Sequence, residues 1–174
     1  MTSGSDDIMN KINSLKNEYY LENKKNIVFK NNQKFDCANT IVQNINKTDL
    51  FNSIIKLNEN QIHLNYAMFK TIIHPGIYID FIYHIFQVND NILSKYSTYN
   101  VFIDCKGLTM TGVERYKDFI TTMSLEGQKN KKDFLQKLGH FYIVNPPFMI
   151  ANIGKIILPL LDKVVKDKIA IIPQ

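Results

Sequence analysis

Residues 141–172 read FYIVNPPFMIANIGKIILPLLDKVVKDKIAII, and this stretch decides the fold. It predicts, in order, a strand over 141–144, a break at Pro146 and Pro147, an apolar helix over 148–161, a charged turn and a strand over 168–172. A helix that is apolar on nearly every face packs against something equally apolar. This helix is too short to cross a bilayer, which takes roughly 20 residues. It must therefore cover an apolar surface supplied by the rest of the chain or by a ligand.

The composition is that of an ordinary globular protein. The 174 residues are 45% hydrophobic and 21% charged, which predicts one domain with a real core. We assign residues 25–174 to that domain and residues 1–24 to a helical or disordered N-terminal extension. Cys37 and Cys105 are far apart in the sequence, which favours free thiols in a reducing compartment. Since no signal peptide and no run of transmembrane length is recognised, the sequence predicts a cytoplasmic protein.

The net charge of +5 leaves two interpretations open. One is an acidic partner such as nucleic acid or anionic lipid, and the other is generic solubility. The densest basic cluster, Lys129, Lys131 and Lys132, adjoins Gly127 and lacks interleaved aromatic residues, so we interpret it as a solvated loop. We therefore predict no nucleic-acid partner.

The sequence lacks the common catalytic motifs. It contains no Gly-x-Ser-x-Gly elbow, P-loop or Gly-x-Gly-x-x-Gly, and its four histidines are not spaced as a metal site. Asp104 follows a predicted strand, and we expect its carboxylate to accept backbone N–H bonds in the turn before Gly107. Asp162 is expected to open a short helix in the same way. We predict a protein that is not an enzyme and that holds no metal and no cofactor.

The first half of the chain predicts short elements around one hairpin. They are a disordered terminus over 1–10, a helix with Ile8, Ile12, Leu15 and Tyr19 on one face, a strand over 25–30, a helix over 37–45 opened by Asp36, and a hairpin whose arms, 50–57 and 61–68, flank Asn58-Glu59-Asn60.

The second half alternates strands and helices, which is typical of an α/β fold. Its predicted elements are a helix over 77–93, a strand over 100–105 buried on both faces, a helix from a Thr111 cap to Ser124, a helix over 133–138 closed by Gly139, and then the strand, helix and strand of residues 141–172. Together with the hairpin they predict a mixed, mostly parallel β-sheet flanked by helices.

Three stretches carry a resemblance to a known family. They are NVFIDCKGLT at 100–109, FLQKLGHFYIVNPP at 134–147 and IILPLLDKVVKDKIAII at 156–172. Their order and spacing resemble the CRAL-TRIO lipid-binding domain family, which includes phosphatidylinositol, tocopherol and retinaldehyde carriers. The resemblance implies a sheet that forms the floor of an apolar pocket and a mobile gate helix, here residues 148–161, that closes it.

The resemblance also implies a function, the binding and intermembrane transfer of a phospholipid or phosphoinositide by a peripheral membrane protein. The implied lipid contacts are Tyr99, Val101, Ile103, Phe141, Ile143, Phe148, Met149, Ile150, Ile153, Ile156, Ile157 and Leu160. Lys168 matches the headgroup lysine of the phosphatidylinositol carriers, and Gln136 stands where they have an acid. Opening of the gate would bring Phe148, Met149 and Ile150 into transient contact with a membrane surface.

Several departures keep other interpretations open. The family's basic N-terminal motif has no counterpart in residues 1–50, and Tyr99 and Val101 stand where phosphatidylcholine carriers have small hydroxyl residues. One alternative is a domain of the same fold that binds a protein partner and has lost the lipid. Another is a STAS-like regulatory module with a phosphorylated Thr109 or Thr111, because residues 100–114 also resemble its strand, turn and helix. The third is that residues 148–161 form an ordinary core helix.

Overall fold

A five-stranded sheet organises the protein in a computed structural model that describes residues 3–130 and 132–172. The strands lie in the order β1 to β5, with β1 antiparallel to β2 and the other neighbours parallel. They are β1 (Ile55–Asn58), β2 (Gln61–Asn65), β3 (Tyr99–Asp104), β4 (Leu138–Val144) and β5 (Ile169–Ile171). The predicted α/β class and the mixed, mostly parallel sheet flanked by helices are confirmed.

Helices precede the sheet and connect its strands. They are α1 (Ser3–Glu22), α2 (Lys30–Asn44), α3 (Lys47–Ile54), α4 (Tyr66–Ile72), α5 (Tyr78–Leu93), α6 (Met110–Arg115), α7 (Lys117–Lys129), α8 (Phe134–Lys137), α9 (Ile150–Ile157) and α10 (Lys163–Lys166), with 3-10 turns at Pro75–Ile77 and Leu158–Leu160. None of the helices in the two described ranges is long and apolar enough to cross a membrane.

The helices cover one face of the sheet. Because β2 to β5 are adjacent in chain order, right-handed crossovers place their connecting helices on the same side. Ile62 of β2 and Val101 of β3 are paired, point to this side and are buried. On the other side, the rings of His63, Phe102 and Tyr142 stack across three strands at 4.7 and 4.6 Å and are partly exposed. The prediction that β3 is buried on both faces is therefore wrong, because Phe102 is covered by neighbouring rings and not by a helix layer.

The hairpin is confirmed, but its arms are shorter than predicted. Asparagines start a helix on either side of it, since Asn46 accepts a bond from Thr48 N at 2.8 Å to cap α3 and Asn65 accepts one from Met68 N at 3.1 Å to cap α4. Apolar periodicity could not distinguish these short helices from strands. Glu59 turns the chain between the strands with a φ of 54°.

The N-terminal region differs most from the prediction. The described chain is helical from Ser3, so disorder over 3–10 is wrong, and residues 1 and 2 lie outside the described residues. The predicted strand over 25–30 is a loop that runs into α2, because Asn26 Oδ1 accepts bonds from Val28 N and Phe29 N, both at 2.9 Å. The helix expected over 37–45 begins earlier, at Lys30.

Three boundaries in the second half also differ. Thr109, and not Thr111, caps α6 by accepting a bond from Gly112 N at 3.1 Å. Gly139 does not end a helix but lies in β4, where an added Cβ would meet Asn100 Oδ1 at 2.5 Å. The apolar helix expected over 148–161 ends as α9 at Ile157, because Pro159 lacks an N–H and forces a 3-10 turn.

Candidate functional site

The turn after β3 and the turn after β4 are joined by hydrogen bonds at the carboxyl-end edge of the sheet. Asp104 Oδ1 accepts bonds from Lys106 N at 3.0 Å and from Asn145 Nδ2 at 2.8 Å. Gly107 and Asn145 occupy left-handed backbone conformations, with φ of 76° and 49°. The expected role of Asp104 as a turn acceptor is confirmed. The bond to Asn145 was missed, because nothing in the sequence pairs residues 41 positions apart.

A surface cleft of about 330 Å³ lies at this edge, lined by Cys105, Lys106, Gly107, Asn145, Pro146 and Pro147. Burial, reinforced by the neighbouring Asp104 carboxylate, raises the pKa of the Cys105 thiol to about 11. The thiol is therefore protonated at neutral pH and is a poor nucleophile. The chemistry of this cleft does not favour covalent catalysis.

The five predicted floor residues share one face of the sheet. Val101 pairs with Phe141, and Ile103 pairs with Ile143 on the neighbouring strand. Tyr99 lies two residues before Val101 and therefore points to the same side. Tyr99 and Val101 are buried, while the other three are partly exposed. The structure thus brings these side chains together as one apolar strip beneath the helices, which we call the floor strip.

The floor strip contacts protein side chains directly. Tyr99, 4% exposed, and Val101 belong to the main buried cluster, and burial raises the pKa of Tyr99. The same cluster contains Phe119, whose ring meets that of Phe69 at 5.0 Å, in a group of aromatic side chains that sequence analysis did not single out. A ligand on the floor strip would therefore displace part of the helical layer.

The predicted gate, residues 148–161, is held by few buried contacts. Of these fully described residues, Ile153 alone is buried, at 2% exposure. Ile153 is not part of the main buried cluster. Phe148 is fully exposed and Met149 is 46% exposed, while the remaining apolar candidates are partly exposed: Ile150, Ile156, Ile157 and Leu160. α9 packs on α6 and the following 3-10 turn packs on α7. The segment is therefore held by the buried Ile153 and, at its end, by Leu161, which is partly buried against the main cluster.

The two predicted headgroup residues belong to elements at the opposite, amino-end edge of the sheet. Lys168 precedes β5, and its ammonium group donates to the carbonyl oxygens of Leu135, at 3.3 Å, and Leu138. Gln136 lies between these two residues, and its side chain is exposed. The Lys168 ammonium group is therefore bonded to backbone carbonyls on either side of Gln136, and no hydrogen bond joins the two side chains.

The sequence matches the model of one protein family. The CRAL/TRIO domain model matches residues 42–174, which contain the floor strip, Lys168 and residues 148–161, the predicted gate, here called the gate segment. The chain belongs to the CRAL/TRIO domain family. This CRAL/TRIO chain is thus a member of a family of lipid-binding and lipid-transfer domains. None of the curated proteins matches it.

Two helices begin before the matched part of this CRAL/TRIO chain. α1 packs on α2 and α3, and α2 packs on α4. Ile12 of α1 is 1% exposed and belongs to the main buried cluster. The N-terminal helices therefore complete the core of the domain, although the division at residue 24 remains a prediction.

Proposed function

We propose that this CRAL/TRIO domain binds one phospholipid between the floor strip and the gate segment, and transfers it between membranes without catalysing a reaction. The observation that carries the proposal is the combination of an apolar strip on the helix-bearing face of the sheet with a helix, α9, that packs on α6 and has one buried side chain, Ile153. The family match supports the class of ligand.

The energy needed to open the gate is small compared with the energy of lipid burial. Exposing the fully buried Ile153 costs about 1.5–3 kcal/mol. Burial of lipid methylenes returns about 0.8 kcal/mol each, so a few methylenes offset the loss of this anchor. The exposed Phe148, Met149 and Leu158 would enter the lipid phase when the gate opens, which lowers the cost further. A membrane therefore favours the open gate and the loaded pocket favours the closed gate.

We assign the floor to Tyr99, Val101, Ile103, Phe141 and Ile143, and the moving cover to the six gate residues Met149, Ile150, Ile153, Ile156, Ile157 and Leu160, with Phe148 at its membrane-facing tip. The proposed headgroup subsite is Lys168 with Gln136. A phosphate there would compete with the Leu135 carbonyl for the Lys168 ammonium group, and the compact charge of lysine suits that exchange. We propose a phosphoinositide as the lipid whose headgroup these two side chains bind. Because lipid exchange needs only transient contact with a membrane, we also propose a cytoplasmic protein that binds membranes peripherally.

A vesicle-to-vesicle transfer assay with a fluorescent phospholipid tests the proposal. Ile157 lies one turn after Ile153 on the same face of α9, so Ile157→Asp places a charge on the lipid-facing side and should abolish transfer. Asn152→Asp adds the same charge on the exposed side and should transfer lipid at the rate of the unmodified protein. Equal transfer by both folded variants would overturn the proposal.

A second candidate is a protein-interaction domain of the same fold. Two observations favour it: the packing of Tyr99 and Val101 in the main buried cluster, and the row of partly exposed rings on the sheet face away from the helices. A protein that captures no lipid from mixed vesicles, yet loses a protein partner when Phe102 is replaced by Ala, would support this candidate.

A further inference from the structure

The loop between α1 and α2 displays three consecutive large apolar side chains. Ile27 is 90% exposed, Val28 80% and Phe29 62%. We call residues 27–29 the apolar loop. Patches of this kind, when rimmed by polar residues, mark sites that contact a partner.

Hydrogen bonds hold the apolar loop in this outward conformation. Besides the two bonds that Asn26 Oδ1 accepts from the loop, Asn26 N donates to Gln33 Oε1 at 2.8 Å. Gln33 Nε2 in turn donates to the Lys24 carbonyl at 2.7 Å. The side chains of the loop are therefore presented to solvent by a structured turn, which reduces the entropy lost when they bind.

The apolar loop is surrounded by positive charge. Residues 23–35 read NKKNIVFKNNQKF and contain four lysines and no acid. Lys30 and three further cations, Lys16, Lys70 and Arg115, lie close enough to Lys34 to lower its pKa, although burial is the larger cause. None of the ion pairs within residues 3–130 and 132–172 involves these five side chains, which we call the cationic edge. The charge of the surface is thus complementary to an acidic partner.

This surface lies at the same edge of the sheet as Pro147, the residue before the tip of the proposed gate. Arg115 Nε donates to Asn31 Oδ1 at 2.9 Å, so the residues after the apolar loop lie against α6. Lys70 Nζ donates to the Gly107 carbonyl at 3.4 Å, and Gly107 lines the same cleft as Pro147, the residue before Phe148. The apolar loop, the cationic edge and Phe148 therefore lie around the carboxyl-end edge of the sheet.

We propose that the apolar loop and the cationic edge form a docking surface for an anionic lipid bilayer, with Ile27, Val28 and Phe29 inserted among the headgroups. This inference rests on the proposed transfer function. It adds a surface, separate from the gate, through which the protein binds the membrane. Apolar side chains flanked by lysines are the combination that binds membrane interfaces, where the apolar groups insert and the cations meet anionic headgroups. Docking here orients the gate toward the bilayer before it opens.

Sedimentation of the full chain with vesicles tests the docking surface. The unmodified protein should bind phosphatidylcholine vesicles that contain phosphatidylserine, bind phosphatidylcholine alone much more weakly, and lose affinity as salt is added. Lys30→Glu/Lys34→Glu should weaken binding at least about 25-fold, since each lysine near an anionic surface contributes about fivefold. Both positions lie in the first turns of α2, where acids are compatible with the helix.

Two further variants separate docking from general electrostatics. Ile27→Ser/Phe29→Ser leaves the charge unchanged and should weaken binding about tenfold or more. Lys95→Glu/Lys163→Glu makes the same charge change at exposed positions before β3 and β5, near the opposite edge, and should bind like the unmodified protein. Equal losses in Lys95→Glu/Lys163→Glu and Lys30→Glu/Lys34→Glu would overturn the proposal.

A second readout on the same samples distinguishes docking from lipid capture. Uptake of a fluorescent phospholipid from neutral detergent micelles should be retained by Lys30→Glu/Lys34→Glu, because the floor strip is untouched. Ile157→Asp should lose lipid uptake but sediment normally with anionic vesicles. That result would support the proposal, because it assigns lipid capture and membrane docking to separate surfaces. If the unmodified protein ignores anionic vesicles but binds single-stranded RNA through the same lysines, the membrane proposal is wrong.

Discussion

Replacement of Ile153 by Ala tests whether α9 moves independently of the core. Ile153 is the buried anchor of the gate segment and lies outside the main buried cluster. Truncation of a buried isoleucine to alanine costs about 2–5 kcal/mol. If that cost falls on local opening, a value of about 3 kcal/mol raises the opening equilibrium constant of α9 roughly 100-fold. Global unfolding exposes the same side chain, so its free energy falls too, and the two processes are distinguished by which amides report each one.

Hydrogen exchange measured by mass spectrometry resolves these two outcomes. In Ile153→Ala, amides of residues 150–157 should exchange up to roughly 100-fold faster, because they report local opening of α9. Ile82→Ala is the matched control, because Ile82 is fully buried within the main cluster. It should accelerate exchange in α5, whose amides report unfolding of the core, and leave exchange in residues 150–157 unchanged. If Ile82→Ala accelerates exchange in residues 150–157 as much as in α5, α9 opens only together with the core and does not move independently.

Three other predictions concern the gate, the β3 turn and the buried thiol. Gly154→Ala should stabilise α9 by about 0.5–1 kcal/mol, because an added methyl group meets only ordinary contacts, and should slow lipid release; faster release in a stopped-flow assay would contradict this. Gly107→Ala should destabilise the protein by roughly 1–2 kcal/mol in urea unfolding because φ is 76°, whereas Gly127→Ala, in helix α7, should not; equal midpoints would contradict the assigned strain. Burial raises the pKa of the Cys105 thiol to about 11 in the folded state, whereas the thiol of the unfolded chain ionises near 9. The stabilisation linked to this thiol is therefore complete below pH of about 9 and is lost as pH rises towards 11, because ionisation then favours the unfolded chain. Cys105→Ser should therefore flatten the decline of unfolding free energy over that range, and an unchanged slope would show that the thiol is not its source.

The sheet and its order of elements could be predicted from the sequence because each strand carries a short apolar run bounded by turn residues. Residues 100–105 and 141–144 are two such runs, and each is followed by a turn, at Asp104 and at Asn145. This combination of apolar run and turn predicts two parallel strands. Local signals failed where the flanking residues decide the conformation. Asn26 converts an apolar run into a loop, and Pro159 shortens an apolar helix, although both residues were visible in the sequence.

The candidate site was predictable only in part. Alternation along β3 and β4 places Tyr99, Val101 and Phe141 on one face, and this periodicity can be read from the sequence alone. The depth to which each side chain is buried could not be read from the sequence, because it depends on helices that pack from distant parts of the chain. The same limit applies to Lys168, whose carbonyl partners precede it by 30 or more residues.

Native mass spectrometry of the freshly purified protein, followed by lipid extraction, tests lipid binding most directly. One phospholipid should be bound per chain in the unmodified protein and in Asn152→Asp, whereas Ile157→Asp should be empty. A phosphoinositide headgroup would support the assignment of Lys168 and Gln136, and Lys168→Met should then lose that lipid selectively. A protein that is empty when purified and that still takes up no lipid after incubation with mixed vesicles does not bind lipid in the proposed way.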